Sequence, residues 1–513
     1  MSTNNYYSPL LTKSKYMVGM QCPKHLWILF HNKEKIPEID EGTQHKFDQG
    51  HLVGELAKTL FKNGVDIKTE DFKKNLEESK RLINSGKALF EAGFLTGRLY
   101  SRADIFEPVK NNTFDLIEVK SSTEVKDENI DDVAFQKYCY EEAGLKIRKC
   151  FLMYVNNEYV KKGQIKPDEF FKKEDITLNV NERLEWIPEK IKEMLKIIDL
   201  KELPKTKISL SCKDPYECPL LYDCWDFLPE TNIFNLYRGK KKELFELLEA
   251  GVQVVNDIPS DYKLNDKQKI QHQCEKTNKP YIDKKGINNF LKTLKYPLYF
   301  LDFETYGTVI PLYDNLKPYQ QIPFQFSLHV IEKKVNKPKH YSYLANGNND
   351  PREDFIIELK RLLGTKGSII IYNQGFEQGR LNEIAEFLPD YKPWVTKTTK
   401  RMVDLLKPFR DFYYYHPKQK GSCSIKKVLP ALTGKGYEGM EIAEGGTASL
   451  KYLYSVHGAY DGTKASPEEV EKIRADLEKY CCLDTEGMIL IIDKLREIYK
   501  QQGGACGEME DYR

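Results

Sequence analysis

The sequence contains no apolar run that approaches the ~20 residues needed to span a bilayer. Its first residues, MSTNNYYSPLLTKSKY, lack the apolar core of a secretory signal. It also has no internal repeat and no low-complexity tract. These absences argue against a helical membrane protein and a repeat array. They predict a cytoplasmic protein whose eleven cysteines stay reduced.

A charge excess of one sign is also missing, because 79 Lys and Arg residues nearly balance 77 Asp and Glu residues. The formal charge of +2 excludes a uniformly basic coat, so contact with nucleic acid would depend on local patches. With 40% hydrophobic and 12% aromatic residues among 513, the chain has the composition of a globular protein of roughly three domains.

Changes in composition along the chain predict four segments. Residues 1–228 contain one cysteine near their start and a cysteine cluster at their end. Residues 229–292 have the charged, helical pattern of a connector. A βα-type domain is predicted for residues 293–500, where the apolar strand YPLYFLDFE opens. Residues 501–513 are Gly-rich and acidic, which predicts a flexible tail.

Three cysteines stand apart from the others. Cys212, Cys218 and Cys224 form a C-x5-C-x5-C run that is rich in turn residues. This spacing lets a short loop arrange three sulfurs around one metal centre, and Cys22 is the candidate for the fourth ligand. Four thiolates suit an iron–sulfur cluster or zinc. The alternative is a set of buried packing cysteines.

A hairpin with carboxylates is predicted in LYSRADIFEPVKNNTFDLIEVKSS, with its turn at 111–112. Folding the segment at that turn places Asp104 opposite Val119, diagonally beside Glu118 and Lys120 on one face of the sheet. Carboxylate oxygens are preferred ligands of Mg²⁺ or Mn²⁺, and a lysine beside them can stabilise charge on a phosphate. Taken alone, the pattern also occurs in ordinary surface hairpins.

The flanking residues turn this hairpin into part of a longer series. In chain order the segment contains Cys22, His51, Asp104, Glu118, Lys120, Gln136, Tyr140 and the three late cysteines. This order resembles that of RecB-like PD-(D/E)XK nucleases, and specifically of the CRISPR-associated RecB-like exonucleases that carry an iron–sulfur cluster. The late cysteines depart from the commoner, tighter first spacing.

The resemblance implies roles for the residues of that series. It implies that His51, Asp104 and Glu118 bind Mg²⁺ or Mn²⁺ and that Lys120 assists catalysis. It implies that the Q-x-x-x-Y pair, Gln136 and Tyr140, binds substrate. The four cysteines would hold an iron–sulfur cluster of the 4Fe-4S type, with Zn²⁺ as the alternative.

A second set of carboxylates follows residue 296. In YFLDFETYG, Asp302 and Glu304 lie two residues apart and therefore on one face of a predicted strand. The segment GSIIIYNQGFEQGRL predicts a buried strand, a turn and a helix with Glu377 in its first turn. Acids at the end of a buried strand repel each other unless a cation joins them, so this pair predicts a metal site.

The segment SPEEVEKIRADLEKYCCLDTEGMILIIDKLREIY predicts a long helix with an apolar seam from Ile473 to Leu495. Asp484 falls inside that seam. Because an unpaired buried carboxylate costs about several kcal/mol, a metal ion is its expected partner. Tyr480 lies four residues earlier on the same face. An N-cap or edge position would explain a stray aspartate, but not one in the middle of the seam.

Together, Asp302-Phe303-Glu304, Asn373…Glu377 and Tyr480-x-x-x-Asp484 resemble the motifs of DnaQ-like (DEDD, ribonuclease H-like) 3′→5′ exonucleases. SCSIKKVLPAL resembles the helix that these enzymes carry between their second and third motifs. The resemblance implies that Asp302, Glu304, Glu377 and Asp484 bind Mg²⁺ or Mn²⁺, and that Tyr480 orients the attacking water. In this sequence Glu377 replaces the usual aspartate.

The combined expectation is an α/β protein with two nuclease domains. A PD-(D/E)XK restriction-endonuclease-like domain with an iron–sulfur cluster would precede a helical connector and a ribonuclease H-like, DnaQ-type mixed-sheet domain. The two resemblances imply DNA hydrolysis in processing, repair or defence. The alternatives are an RNA exonuclease and a scaffold that binds nucleic acid without cutting. Residues 410–427 interleave aromatic and basic residues, which indicates either a base-stacking surface or a solvated loop.

Overall fold

The computed structural model describes residues 9–69, 71–347 and 349–501 of the chain. These residues form a mixed α/β protein, as expected, and divide into two compact units. The first unit runs to Phe227 and also includes Thr308–Gln320, and the second comprises Leu228–Gly307 and the chain from Gln321 onward. The predicted connector, 229–292, falls in the second unit. The predicted tail lies outside the described residues from residue 502.

The first unit is built on one sheet. Its strands are β1 (Leu11–Thr12), β2 (Val65–Asp66), β3 (Leu89–Thr96), β4 (Leu99–Val109), β5 (Thr113–Lys120), β6 (Ile147–Val155) and β7 (Phe171–Asp175). They are ordered β2–β3–β4–β5–β6–β7, with β1 parallel to β4. The central strands β3, β4 and β5 are antiparallel, and β6 is parallel to β5.

Helices pack against this sheet. They are α1 (Lys13–Gln21), α2 (Pro23–His31), α3 (Glu41–Lys58), α4 (Phe72–Leu82), α5 (Asp127–Glu142), α6 (Pro167–Phe170), α7 (Thr177–Leu184), α8 (Ile187–Asp199) and α9 (Leu221–Trp225). Helix α5 joins the parallel strands β5 and β6 and is buried along most of its length. Phe135 of α5 stacks on Tyr16 of α1, with ring centroids 4.6 Å apart.

The segment Thr308–Gln320 is an integral part of the first unit. Val309 is fully buried in a hydrophobic cluster with Ile105 and Ile117. Its backbone N–H donates to the Gln49 side chain at 2.9 Å. This short piece of chain therefore completes a core whose other residues come from the first 227 positions.

The predicted hairpin forms between β4 and β5, but its register differs by one residue. Val109 pairs with Thr113, so three residues form the loop, and two of them, Asn111 and Asn112, have positive φ. Ile105 pairs with Ile117, whereas the expected register, with Asp104 opposite Val119, pairs Ile105 with Glu118. The expected register was wrong because Lys110 belongs to the loop.

The second unit contains a mixed sheet and a small ribbon. Their strands are β8 (Tyr281–Ile282), β9 (Leu298–Tyr306), β10 (Ile322–Ile331), β11 (Lys339–Leu344), β12 (Ser368–Ile371), β13 (Met402–Asp404) and β14 (Tyr414–Tyr415). The main sheet is ordered β11–β10–β9–β12–β13. Strand β10 is antiparallel to β9 and β11, whereas β9, β12 and β13 are parallel to one another.

The helices of this unit cover both the sheet and the connector region. They are α10 (Lys241–Glu249), α11 (Asp266–Thr277), α12 (Lys284–Leu291), α13 (Arg352–Leu362), α14 (Gln374–Phe387), α15 (Lys392–Thr399), α16 (Lys407–Arg410), α17 (Ile425–Thr433), α18 (Gly445–His457) and α19 (Pro467–Gln501). Helix α19 lies against β9, β10 and β11.

The long helix α19 forms as its sequence predicts. Ser466 and Glu469 cap its start reciprocally, because each backbone N–H donates to the other side chain, at 2.7 and 3.2 Å. Its apolar seam is buried from Leu477 to Leu495. Charged residues on its other face interrupt any apolar stretch, and among the described residues the structure contains no helix that is both long and apolar enough to traverse a membrane.

The aromatic residues between positions 410 and 427 belong to the core. Phe412, Tyr414 and Tyr415 are all buried, and Phe412 and Tyr415 stack with centroids 5.0 Å apart. Both interpretations of this stretch, as a base-stacking surface and as a solvated loop, are therefore wrong for these three side chains.

Candidate metal centres

The first cluster of charged residues lies where β4, β5 and α5 meet. The structure brings together Asp104 of β4 with Glu118 and Lys120 of β5. Lys120 Nζ donates to Glu118 Oε1 at 2.7 Å, and the backbone N–H of Val119 donates to Asp104 Oδ2 at 2.8 Å. The predicted carboxylates and lysine thus form one contact network.

Two further charged residues belong to this first cluster, and neither was predicted. Asp132 of α5 accepts from Lys120 Nζ at 2.7 Å. Lys13, the first residue of α1, donates to Glu118 Oε1 at 2.8 Å and lies 3.8 Å from Asp104 Oδ1. The side chain of Thr12 caps α1 and so fixes the position of Lys13. Three carboxylates are therefore met by two ammonium groups.

The two lysines dominate the electrostatics of the first cluster. Burial alone would raise the pKa of Glu118, but Lys120 and Lys13 hold it well below its usual range. The pKa of Asp104 is raised to about 7 by burial and by the charge of Glu118. At neutral pH the cluster is thus close to electrical balance without any added ion.

The other predicted residues of the first unit occupy different positions. Gln136 and Tyr140 of α5 are fully buried, which leaves no surface for direct substrate contact. Gln136 instead donates to Glu118 Oε2 at 2.7 Å, and Tyr140 donates to the carbonyl of Ala92 at 3.2 Å. His51 lies on an exposed face of α3. Gln136 therefore orients Glu118, and Tyr140 anchors β3.

The second cluster lines a cavity of about 470 Å³ in the second unit. Asp302 and Glu304 come from β9, Glu377 from the first turn of α14, and Asp484 from the middle of α19. Asn373 takes a left-handed conformation, with φ of 82°, between β12 and α14, and this turn brings Glu377 into the cavity. The predicted acids thus converge from three elements that are distant in sequence.

The acids of the second cluster have little internal compensation. Among the described residues, no lysine, arginine or histidine forms an ion pair with any of the four. Glu377 is 2% exposed, and its Oε2 atom has no hydrogen-bond partner. A buried carboxylate oxygen without a partner is costly, and a cation is the partner that its chemistry fits.

Burial raises the pKa of every acid in the second cluster, and repulsion from other acids of the cluster adds to the rise for Asp302 and Glu304. Burial, Asp484 and Glu304 raise the pKa of Asp302 well above its usual range. Burial is the main cause of the rise for the other three. It raises the pKa of Glu304 and of Glu377 to about 8, and that of Asp484 to about 6. Without a cation, the cluster retains protons at neutral pH.

Three more residues contact or influence the second cluster. Tyr480, which was predicted, lines the cavity, and burial and Asp484 raise its phenol pKa far above the usual range. Tyr437, which was not predicted, donates a short hydrogen bond to Asp484 Oδ1. Lys426 lies over the Tyr480 ring, with Nζ 5.4 Å from the centroid. Tyr437 sits in a polar loop whose sequence pattern gave no signal for it.

Asp404, the last residue of β13, supports the turn that precedes α14. It accepts hydrogen bonds from the backbone N–H groups of Asn373 and Leu406, at 3.1 and 3.0 Å. It therefore holds the turn that positions Glu377.

The four predicted cysteines line one small cavity. Cys22 lies at the junction of α1 and α2, and the other three come from the segment that ends in α9. Gln21 ties the two segments together, because its Nε2 donates to the carbonyls of Ser211 and Tyr216 at 2.7 and 2.5 Å. Lys24 Nζ lies 3.2 Å from the Cys224 sulfur.

The spacing and protonation of these sulfurs bear on what they can hold. Burial raises the pKa of Cys22, and raises that of Cys218 to about 11, so both keep their protons unless a metal displaces them. Within the described parts of the chain, the ligand sets whose atoms all lie within 4.8 Å of one another do not include these sulfurs. Sulfurs on one zinc ion, at about 2.3 Å each, lie closer together than that.

Comparisons with known proteins give similarity without a functional description. Residues 299–424 match the family model of a domain of unknown function, DUF2779. The matched stretch contains Asp302, Glu304 and Glu377 but ends before Tyr480 and Asp484.

Curated relatives occur in three mollicutes, and each is described as uncharacterized. A Mycoplasma genitalium protein is 26% identical over 239 residues, which is 43% of this chain and 35% of the relative. A Mycoplasma pneumoniae protein is 24% identical over 338 residues, 56% of this chain and 49% of the relative. A Ureaplasma parvum protein is 33% identical over 172 residues, 31% and 24% of the two chains. The chain thus spans at most about half the length of these relatives.

Proposed function

We propose that the second unit is a divalent-metal-dependent exonuclease that hydrolyses nucleic-acid phosphodiester bonds, with DNA as its substrate. The observation that carries this proposal is the convergence of Asp302, Glu304, Glu377 and Asp484 on one cavity without an ion-pair partner among the described residues. A binding scaffold would gain nothing from buried negative charge where phosphates must approach. A cavity of this kind could hold the pair of divalent cations that phosphodiester hydrolysis requires.

The sheet of the second unit supports the assignment to the ribonuclease H-like class. Strand β9, which carries the D-x-E motif, is central in the sheet. The antiparallel β10 lies on one side of it, followed by β11, and the parallel β12 and β13 lie on the other side. Helix α19 crosses the face that presents Asp302 and Glu304 and brings Asp484 to them. This arrangement agrees with the one that the three motifs suggested.

The chemistry of the second cluster follows from its residues. Bound Mg²⁺ or Mn²⁺ would activate water and stabilise the leaving oxygen. The four carboxylates would hold the cations, after losing the protons that their raised pKa values retain in their absence. Tyr480 remains a neutral phenol because of its raised pKa, so it can donate a hydrogen bond to a water or a phosphate oxygen but cannot act as a base.

For the first unit we propose a PD-(D/E)XK-type nuclease module. The antiparallel β4 and β5 present Asp104, Glu118 and Lys120 together, and α5 and the parallel β6 follow. The cysteine cavity beside it fits an iron–sulfur cluster better than one zinc ion, because its sulfurs are too far apart to share a single small cation. We expect a brown protein whose visible absorbance is lost in Cys218→Ser.

End-labelled substrates test both proposed nuclease activities. The full chain is incubated with 5′-labelled single-stranded DNA, or with RNA of the same sequence, in Mn²⁺ or in a chelator. We expect Mn²⁺-dependent shortening of DNA from the unlabelled 3′ end. Asp302→Asn should slow it by at least about a hundredfold. Lys120→Ala, measured on the same substrates, reports the share of cutting by the first unit.

A matched control is Asp390→Asn, which removes an exposed aspartate of the second unit and should leave the rate unchanged. Full activity in Asp302→Asn together with loss of activity in Lys120→Ala would show that the first unit cuts the substrate. Degradation of RNA but not of DNA would show that the substrate is RNA. If neither polymer is cut, the protein is instead a scaffold that binds nucleic acid without cutting it.

A further inference from the structure

We propose that His329, His340 and Cys482 form a binding site for a zinc-class transition-metal ion, separate from the acidic cavity and from the cysteine cavity. This inference does not depend on the proposed nuclease activity. One ligand atom of each residue can be chosen so that all three lie within 4.8 Å of one another.

The three residues come together through sheet register and helix packing. His329 of β10 and His340 of β11 are directly paired across two antiparallel strands, and their ring centroids lie 4.5 Å apart. Helix α19 packs against both strands and carries Cys482. Zinc bonds of about 2.0 Å to nitrogen and 2.3 Å to sulfur place ligand atoms within 4.8 Å of one another, as they are here.

A network of hydroxyl groups orients both imidazole rings. Thr485 Oγ1 donates to the carbonyl of Cys482 at 3.0 Å, so it accepts from His329 Nδ1, at 2.8 Å, and from the Ser327 hydroxyl, at 2.7 Å. Ser327 Oγ in turn accepts from His340 Nε2 at 2.9 Å. This assignment leaves the Nε2 lone pair of His329 and the Nδ1 lone pair of His340 available. Metal-binding histidines are usually oriented by such a bond from their other nitrogen.

The charges around the cluster favour a cation. Glu478 and Glu486 lie one helical turn before and after Cys482 on α19, and both are exposed. The charge of Glu478 acts on His340, and that of Glu486 acts on Cys482. Glu478 is therefore the candidate for a fourth ligand.

The donor set selects the class of ion. Two imidazoles and a thiolate suit zinc and other borderline transition metals, whereas Mg²⁺ and Mn²⁺ prefer the oxygen donors of the acidic cavity. Bound there, the ion would tie the edge strand β11 to α19, the helix that also carries Asp484.

Cobalt and zinc titrations of the full chain test the site. Metal-stripped protein is titrated with Co²⁺, followed by absorbance, and then with Zn²⁺ against a chromophoric chelator. We compare wild type with His340→Gln, with Cys482→Ser and with the control His457→Gln, an exposed histidine of the same unit. We expect wild type and His457→Gln to bind one more equivalent than His340→Gln, or to bind it at least about tenfold more tightly.

Cys482→Ser should lose the thiolate-to-cobalt absorption of that equivalent, and any cobalt absorption from the four-cysteine cavity should be the same in every variant. His340 is exposed, so its substitution should leave the circular dichroism and melting temperature of the metal-stripped protein unchanged. Identical stoichiometry and affinity in wild type and His340→Gln would overturn the proposal. Loss of the same equivalent in Asp302→Asn would also overturn it, because the ion would then belong to the acidic cavity.

Discussion

The two charged clusters differ in what offsets the negative charge of their buried carboxylates. In the first unit, Lys13 and Lys120 contact Glu118 at 2.8 and 2.7 Å, so the acids are neutralised by the chain itself. In the second unit, four acids converge without an ion-pair partner among the described residues, and their pKa values rise instead. In the first cluster, lysine side chains offset the negative charge of the carboxylates. In the second cluster, bound protons offset that charge until a metal cation binds.

This difference predicts different responses to metal. An ion entering the first cluster must compete with the ammonium group of Lys13, which sits between Glu118 and Asp104. An ion entering the second cluster displaces only protons, so its binding should strengthen as pH rises. Removing one charge from each cluster should therefore change stability in opposite directions.

The largest effect is expected for Lys13→Met. Loss of this ammonium leaves Glu118, whose side chain is 2% exposed, with only one cationic partner. Breaking such a pair should lower the free energy of unfolding of the metal-free protein by about 2–4 kcal/mol. The loss is measured from urea titrations of the full chain, and Mn²⁺ should restore part of it in the variant.

Lys13→Arg, which keeps the charge, and Lys62→Met, which removes an exposed lysine, are the matched controls and should change stability little. Unchanged stability in Lys13→Met would show that the first cluster is not balanced by this residue. The two clusters would then not differ in the way that the contacts of Lys13 indicate.

A smaller effect of opposite sign is expected for Asp302→Asn. Burial and the charges of Asp484 and Glu304 disfavour the charged form of Asp302, and asparagine removes this cost, so the metal-free variant should be more stable than wild type by about 1–2 kcal/mol at pH 8. The same variant should lose the stabilisation that Mn²⁺ gives to wild type.

The pH dependence sharpens this prediction. Between the unfolded pKa near 4 and the folded value of about 8, Glu304 and Glu377 hold protons that unfolding releases. The stability contributed by these protonated acids is complete below the unfolded pKa and falls as pH rises to about 8. Melting curves of the chelated wild type between pH 5 and pH 8 should show this fall. A rise over the same range would contradict the raised pKa values.

The smallest effect is expected for Tyr437→Phe. The variant removes the hydroxyl that donates to Asp484, a bond that lowers the pKa of this carboxyl against the effect of burial. We expect the pKa of Asp484 to rise and Mn²⁺ affinity at neutral pH to fall by a few fold, equivalent to about 1 kcal/mol. Isothermal titration at pH 6.5 and 8 measures it, and the deficit should shrink at the higher pH.

Sequence reasoning located the acids of the second cluster because each breaks a local pattern. Asp484 interrupts an apolar seam, and Asp302 and Glu304 interrupt an otherwise largely apolar strand. Tyr437 and Lys13 break no such pattern and reach their clusters only through tertiary packing. Asp132, one turn before Gln136 on the same face of α5, could have been found by helical spacing.

The errors also have local causes. The β4–β5 register was wrong because a loop of three residues and one of two give equally plausible hairpins from sequence. The tyrosines near position 414 were assigned to the surface because a short aromatic run beside lysines has no periodicity that separates core from solvent. Both errors concern burial and register, which depend on partners elsewhere in the chain.

The segment Thr308–Gln320 restricts how this polypeptide can be divided. A fragment that stops at Phe227 lacks Val309, and it would expose the apolar pocket that this side chain fills. A fragment that starts at Leu228 carries the same stretch away from the residues it packs on. No single cut yields two complete halves, so independent expression of either unit requires moving thirteen residues from one piece to the other.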